Sequence, residues 1–86
     1  MKLQPEALEA LNFFYAHDEL LAEAVEDALD QLEADPTTAD VKRHRAGAEN
    51  RYIIDVRVPG RDENYWVVWE MLNAEPVVWH VGRARL

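Results

Sequence analysis

Hydrophobic and polar residues alternate along three segments in the C-terminal half of the chain. The segments begin at Arg51, Tyr65 and Val77, and turn-forming residues at 59–64 and 73–76 separate them. Alternation with a period of two is typical of β-strands that bury one face. Because short loops join the segments, the pattern predicts an antiparallel meander with one packed face and one partly open face.

Counting alternate positions assigns the residues of these strands to two faces. We expect the packed face to contain Tyr52, Ile54, Val56, Val58, Tyr65, Val67, Trp69, Met71, Val77, Trp79 and Val81. We expect the open face to contain Arg51, Ile53, Asp55, Arg57, Trp66, Val68, Glu70, Val78 and His80. The open face therefore combines charged residues with an apolar patch.

Two helices are predicted before the strands, because apolar residues recur there at spacings of three and four. The first stripe, in a helix over about residues 5–16, is Ala7, Leu8, Leu11, Phe14 and Tyr15. The second stripe is Leu20, Leu21, Ala24, Val25, Ala28, Leu29 and Leu32. Asp18 is the predicted N-cap of the second helix, and Pro36 ends that helix at Asp35. One unbroken helix is the alternative, since neither glycine nor proline forces the break.

These elements predict an α+β fold, in which an N-terminal helical hairpin packs on one face of an antiparallel sheet. The sheet is expected to have three to four strands, with a charged edge strand over residues 41–45. Eighty-six residues fill one core, so residues 1–86 are predicted to form a single domain.

Composition excludes several classes of protein. The chain has no apolar run of about 18 residues, which argues against a membrane-spanning segment. It has no cysteine, so a disulfide framework and a thiolate metal site are excluded, and a cytoplasmic location is expected. It also lacks a glycine-rich phosphate loop and a zinc motif, and no cofactor is predicted.

Charge is distributed unevenly. Residues 1–40 contain eleven acidic residues and one basic residue, whereas residues 41–86 contain eight basic and six acidic residues. The net charge of -8 disfavours a nucleic-acid partner, because binding to phosphates depends on lysine and arginine. The basic cluster at 42–45 leaves two interpretations, which are an anionic partner and a solubilising edge strand.

Two groups of residues on the predicted open face are candidates for function. Trp66, Ile53, Val68 and Val78 form the apolar patch, which is typical of a protein interface with a second copy or a partner peptide. Stacking of unpaired bases on Trp66 is the alternative. His80 is a candidate general acid or base, or a strand residue with a structural role.

The order of the motifs resembles that of the RelE/ParE superfamily, the toxins of bacterial toxin-antitoxin modules. The motifs are Leu32-Glu33-Ala34-Asp35-Pro36, a charged segment ending at Gly47, Tyr52-Ile53-Ile54-Asp55-Val56, Tyr65-Trp66-Val67-Val68-Trp69 and Val77-Val78-Trp79-His80-Val81-Gly82-Arg83. The resemblance covers about residues 5–85. It implies a helical hairpin on a twisted sheet, with an antitoxin bound around it. It also implies that the first strand is missing or truncated, because only four residues precede Pro5.

The resemblance implies two activities, since RelE-like members cleave mRNA on the ribosome and ParE-like members inhibit DNA gyrase. In this sequence Ile53, Asp55 and Trp66 stand where RelE-like members have basic residues. The loss of these charges removes the main electrostatic stabilisation of a phosphoryl transition state. The resemblance leaves Arg45, Arg83 and Arg85 as candidate catalytic residues, and His80 joins them as the candidate general acid or base.

We therefore predict a toxin-like protein that acts mainly by binding a protein partner. The predicted partner-binding residues are Ile53, Trp66, Val68, Val78, Lys42 and Arg43. The partner is an antitoxin-like protein or a second copy of the chain. The alternatives are a ribosome-dependent mRNA endonuclease, an inhibitor of gyrase, and a homodimeric interaction module without a toxin role, so enzymatic activity stays open.

Overall fold

The computed structural model describes residues 1–36, 44–46 and 51–84, which form two helices and a five-stranded sheet. The elements are β1 (Lys2–Leu3), α1 (Pro5–His17), α2 (Glu19–Ala34), β2 (His44–Ala46), β3 (Arg51–Val56), β4 (Tyr65–Leu72) and β5 (Glu75–Arg83). The strand order is β1-β5-β4-β3-β2. The predicted α+β fold is confirmed. Neither helix in the described ranges is long and apolar enough to cross a membrane.

The first strand is present but truncated to two residues. Lys2 lies opposite Val77 and Leu3 opposite Val78, and this pairing is parallel. The backbone N-H of Gln4 adds a hydrogen bond of 2.9 Å to the carbonyl of Val78. All other strand pairs are antiparallel, as the meander predicts. The sheet is therefore one strand wider than expected, because the residues before Pro5 suffice to pair with β5.

The two helices meet at Asp18, which confirms the predicted break. The apolar stripe of α1 is narrower than predicted, since Leu8 is 48% exposed and Tyr15 is 50% exposed. Ala7 and Leu11 are the buried residues of α1. This helix contacts the sheet at β5 and β1, which lie at one edge of it. The hydroxyl of Tyr15 instead meets the acidic face of α2. A hydrogen bond with Glu26, helped by the negative charge around it, raises the pKa of Tyr15 to about 12.

The hydrophobic core lies between the helical hairpin and one face of the sheet. Trp69 is its largest fully buried side chain, and the ring centroid of Tyr52 lies 5.0 Å from that of Trp69. Around them pack Val25, Leu29, Leu32, Ile54, Val56, Val58, Tyr65, Val67, Val78 and Val81. Met71 was predicted to join this face, but it is exposed, because β4 extends beyond the residue that pairs with the first residue of β3. Trp69 thus fixes the packed face of β4 as the alternation predicts.

A β-bulge interrupts the pairing of β4 with β5. Val68 lies opposite His80, but the next residue, Trp69, lies opposite Val78. Trp79 is therefore an extra residue on β5, and the alternation of faces changes at this point. From Val78 towards the start of β5, each side chain lies on the face opposite to the one that strict alternation assigns.

Three face assignments on β5 are wrong because of this bulge. Val78, predicted to belong to the open, partner-binding patch, is completely buried in the core beside Trp69. Trp79, predicted to be a core residue, lies on the open face instead. Val77, predicted to lie on the packed face, is also buried, but it lies opposite the open-face residue Glu70. The open face keeps a large apolar side chain at this position, but it is an indole rather than a valine.

The junction of the two helices is held by a charged cluster. The Asp18 carboxylate accepts a hydrogen bond of 3.3 Å from the backbone N-H of Leu21, which caps α2 as predicted. It also accepts two hydrogen bonds, of 2.7 and 2.8 Å, from the guanidinium of Arg61. Arg61 contacts the hydroxyl of Tyr65 at 3.3 Å. This cluster connects the helical hairpin to the turn between β3 and β4. The hairpin and the turn are distant in sequence.

We expect the Asp18 cluster to make stability depend on pH in acid. Hydrogen bonding to Arg61 and to the Leu21 N-H, with the positive charge of Arg61, holds the pKa of Asp18 below its ordinary value of 3.8. The stabilisation is therefore complete well above pH 3.8 and is lost as the pH falls through the lower pKa of the folded state. As the pH is lowered through this pKa, the urea midpoint of unfolding should fall less steeply for Asp18→Asn than for the wild type. Equal slopes would show that Asp18 does not contribute to the pH dependence of stability.

Candidate functional site on the open face of the sheet

Two adjoining cavities lie on the face of the sheet that the helices leave open. The first, of about 330 Å³, is lined by Glu6, Arg51, Ile53, Trp66, Val68, Trp79 and His80, and we call it the Trp79 cavity. The second, of about 340 Å³, is lined by Ile53, Asp55, Asn64 and Trp66, and we call it the Trp66 cavity. Because Ile53 and Trp66 line both, the cavities form one groove across β3, β4 and β5.

The floor of this groove is apolar. Ile53 belongs to the open face, yet it is only 8% exposed, since it lies between His44 of β2 and Val68 of β4 in the sheet. Trp66 and Val68 are half-buried beside it. The structure therefore brings together three of the predicted partner-binding residues, Ile53, Trp66 and Val68. Trp79 takes the place that the prediction gave to Val78.

Arg51 carries the positive charge nearest the apolar floor, and two neighbouring side chains contact it. The guanidinium carbon of Arg51 lies 4.6 Å from the centroid of the Trp79 ring. Its Nε is 3.8 Å from Oε1 of Glu70, the residue directly opposite on β4. Glu70 thus neutralises Arg51 across the two strands. Stacking on Trp79 could not be predicted, because it depends on the bulge.

His80 lies at the margin of the Trp79 cavity and contacts the backbone. Its Nε2 is 3.0 Å from the carbonyl oxygen of Arg83. A carbonyl oxygen can only accept a hydrogen bond, so this contact favours the tautomer in which Nε2 carries the proton and donates it. Only Nδ1 is then left to act on a ligand.

Arg83 lies on the other face of the sheet from His80. It is paired with Tyr65, a core residue, and side chains directly opposite each other share a face. With Tyr65 and Asp18 it lines a separate cavity of about 180 Å³ beneath the helices. The structure thus does not bring the Arg83 side chain together with His80 on the open face.

The remaining predicted residues lie at or beyond the limits of the described chain. The backbone of Arg45 is in β2, opposite Tyr52. Lys42, Arg43 and Arg85 lie outside the described residues. In the described ranges no group of three histidine or acidic side chains is arranged to hold a metal ion.

Sequence reasoning missed three residues that line the groove, which are Trp79, Glu6 and the turn residue Asn64. Trp79 was assigned to the core, because Val77, Val78 and Trp79 are consecutive apolar residues and alternation alone cannot tell which of them face the helices. Glu6 lies in the first turn of α1 and was not predicted to belong to the site. The short β1 places the start of α1 beside β5, where Glu6 reaches the rim of the Trp79 cavity.

Comparison with known proteins identifies the fold. No protein-family model matches the sequence, and no curated protein matches it either. Solved structures do match over nearly the whole chain. A YoeB/ParE toxin from Agrobacterium tumefaciens is 15% identical, with a TM-score of 0.73 over 99% of this chain and 100% of that one.

Two toxin-antitoxin complexes give similar values. The intact RelBE complex from E. coli is 20% identical, with a TM-score of 0.70 over 99% of this chain and 95% of that one. A YoeB-YefM complex from Staphylococcus aureus is 10% identical, with a TM-score of 0.72 over 98% of this chain and 94% of that one. The chain therefore has the fold of the RelE/ParE toxins, and it is a divergent example of that fold. The resemblance inferred from the order of the motifs is confirmed at this level.

Proposed function

We propose that this protein is a toxin-like member of the RelE/ParE superfamily that acts by binding a protein partner through the open-face groove. The observation that carries the proposal is the apolar floor of Ile53, Trp66, Val68 and Trp79, which lines cavities on the face of the sheet that the helices leave open. An apolar groove with a charged rim is typical of protein interfaces. Its tryptophans are of the residue type that most often dominates binding energy.

The charges of the groove favour a protein partner over RNA. Glu6, Asp55 and Glu70 lie along the same face as Arg51, so acidic groups outnumber basic ones among the described residues there. Cleavage of RNA needs cations aimed at the phosphate, and carboxylates at this position would repel it. The separation of Arg83 from His80 also argues against the endonuclease alternative. The solved structures of similar fold include toxin-antitoxin complexes, which supports an antitoxin-like partner.

The proposal is tested by growth and co-purification. We expect overexpression to arrest growth, and co-expression of the protein encoded beside its gene to relieve the arrest and to yield a complex. Trp66→Glu should abolish the complex, because it places a charge on the apolar floor. Leu20→Glu is the matched control, since Leu20 is 59% exposed on the helical side and its replacement adds the same charge. Retention of the complex by Trp66→Glu would contradict the proposal.

The endonuclease alternative is tested in parallel with translating ribosomes. We expect no cut ends in the mRNA, because the carboxylates on the open face repel its phosphates. Cleavage that is lost in His80→Ala would establish the alternative and overturn the proposal.

A further inference from the structure

The open face already contains one cation held between an indole and a carboxylate. The Arg51 guanidinium lies over the Trp79 ring, and Glu70 lies within ion-pair distance of it. An aromatic face and a carboxylate attract the same positive group from two directions. On this sheet an indole and a carboxylate thus already contact a guanidinium group of the chain itself.

The Trp66 cavity repeats the combination. Asp55 lies directly opposite Trp66 in the pairing of β3 with β4, so their side chains are neighbours on the open face. Asn64 adds an amide that can accept a hydrogen bond. None of the described residues that line this cavity is positively charged. A carboxylate has about four acceptor sites, so Asp55 can receive a further donor whatever else it contacts.

We propose that the Trp66 cavity binds an arginine side chain of the protein partner, with its guanidinium over Trp66 and beside Asp55. The inference rests on the proposed function and deepens it, because it states the chemistry of the partner segment. Arginine fits better than lysine, since its planar group stacks on an indole and donates to a carboxylate at the same time. Flanking apolar residues of the partner would then contact Ile53 and Val68.

The test uses three peptides that differ in one side chain. They are acetyl-Gly-Leu-Arg-Leu-Gly-amide, the same peptide with citrulline for arginine, and the same peptide with glutamate. Citrulline keeps the shape and removes the charge. Binding is followed by NMR at the indole N-H signals of the full-length protein. We expect the arginine peptide to shift the Trp66 signal and to bind about two- to tenfold more tightly than the citrulline peptide.

Two variants locate the effect. Asp55→Asn should remove most of the preference for arginine over citrulline. Glu33→Gln should retain it, because Glu33 is exposed on α2 and its replacement changes the net charge equally. Equal binding of arginine and citrulline peptides, tighter binding of the glutamate peptide, or no binding at millimolar concentration would each overturn the inference. Failure of the proposed function is distinct, since it appears as a complex that survives Trp66→Glu.

Discussion

Replacing Val78 with aspartate is expected to unfold the domain, whereas the same change at Val68 is expected to leave it folded. Val78 is completely buried beside Trp69, and an unpaired carboxylate there loses its hydration without gaining a partner. A penalty of several kcal/mol is a large part of the stability of a small domain, which is about 5–15 kcal/mol. Val68 is half-buried on the open face, where a carboxylate can stay in contact with water.

Circular dichroism and the dispersion of amide signals distinguish these outcomes. The two substitutions make the same chemical change on neighbouring strands, so they differ in the face that each side chain occupies. A folded Val78→Asp protein would place Val78 on the open face, and the bulge at Trp79 would then be wrong.

Replacing Trp69 with alanine is expected to lower the free energy of unfolding by about 3–5 kcal/mol. Trp69 is completely buried, and its loss leaves a cavity beneath the helices and removes the ring contact with Tyr52. The matched control is Trp66→Ala, which removes an identical side chain from the open face. Its expected effect is about 1 kcal/mol or less, since a half-exposed residue leaves no closed cavity.

Urea titration of both proteins measures the two values on one scale. Similar losses for Trp66→Ala and Trp69→Ala would mean that both indoles are enclosed. The open-face groove would then be part of a second core, and it would not be available for docking.

The fold could be predicted from the sequence because its strongest signals are local. The spacing of Leu21, Val25 and Leu32 defines the buried face of α2, and the alternation around Val67 and Trp69 defines that of β4. Asp18 and Pro36 mark the ends of α2 by their backbone preferences. The other side of α2 carries acidic residues, and Glu70 marks the open side of β4, so each pattern favours one orientation.

The candidate site and the link that holds the helical hairpin were not predicted in full, because each depends on a feature that is not local. In β5 three consecutive apolar residues fit either orientation, and the bulge that decides between them arises from pairing with β4. The link between Asp18 and Arg61 joins residues 43 positions apart. The sequence around either residue gives no sign of this pairing. Ile53, Trp66 and Val68 lie on the open face as expected, since they belong to the regular pairing of β3 with β4.

The central claim is that a protein partner docks on the open face of the sheet, and the three tryptophans provide the most direct test. The labelled protein is compared by NMR before and after addition of the partner obtained by co-purification. We predict that the indole N-H signals of Trp66 and Trp79 shift, while that of Trp69 stays in place. Shifts confined to residues of α1 and α2, with the signals of Trp66 and Trp79 unchanged, would contradict the claim.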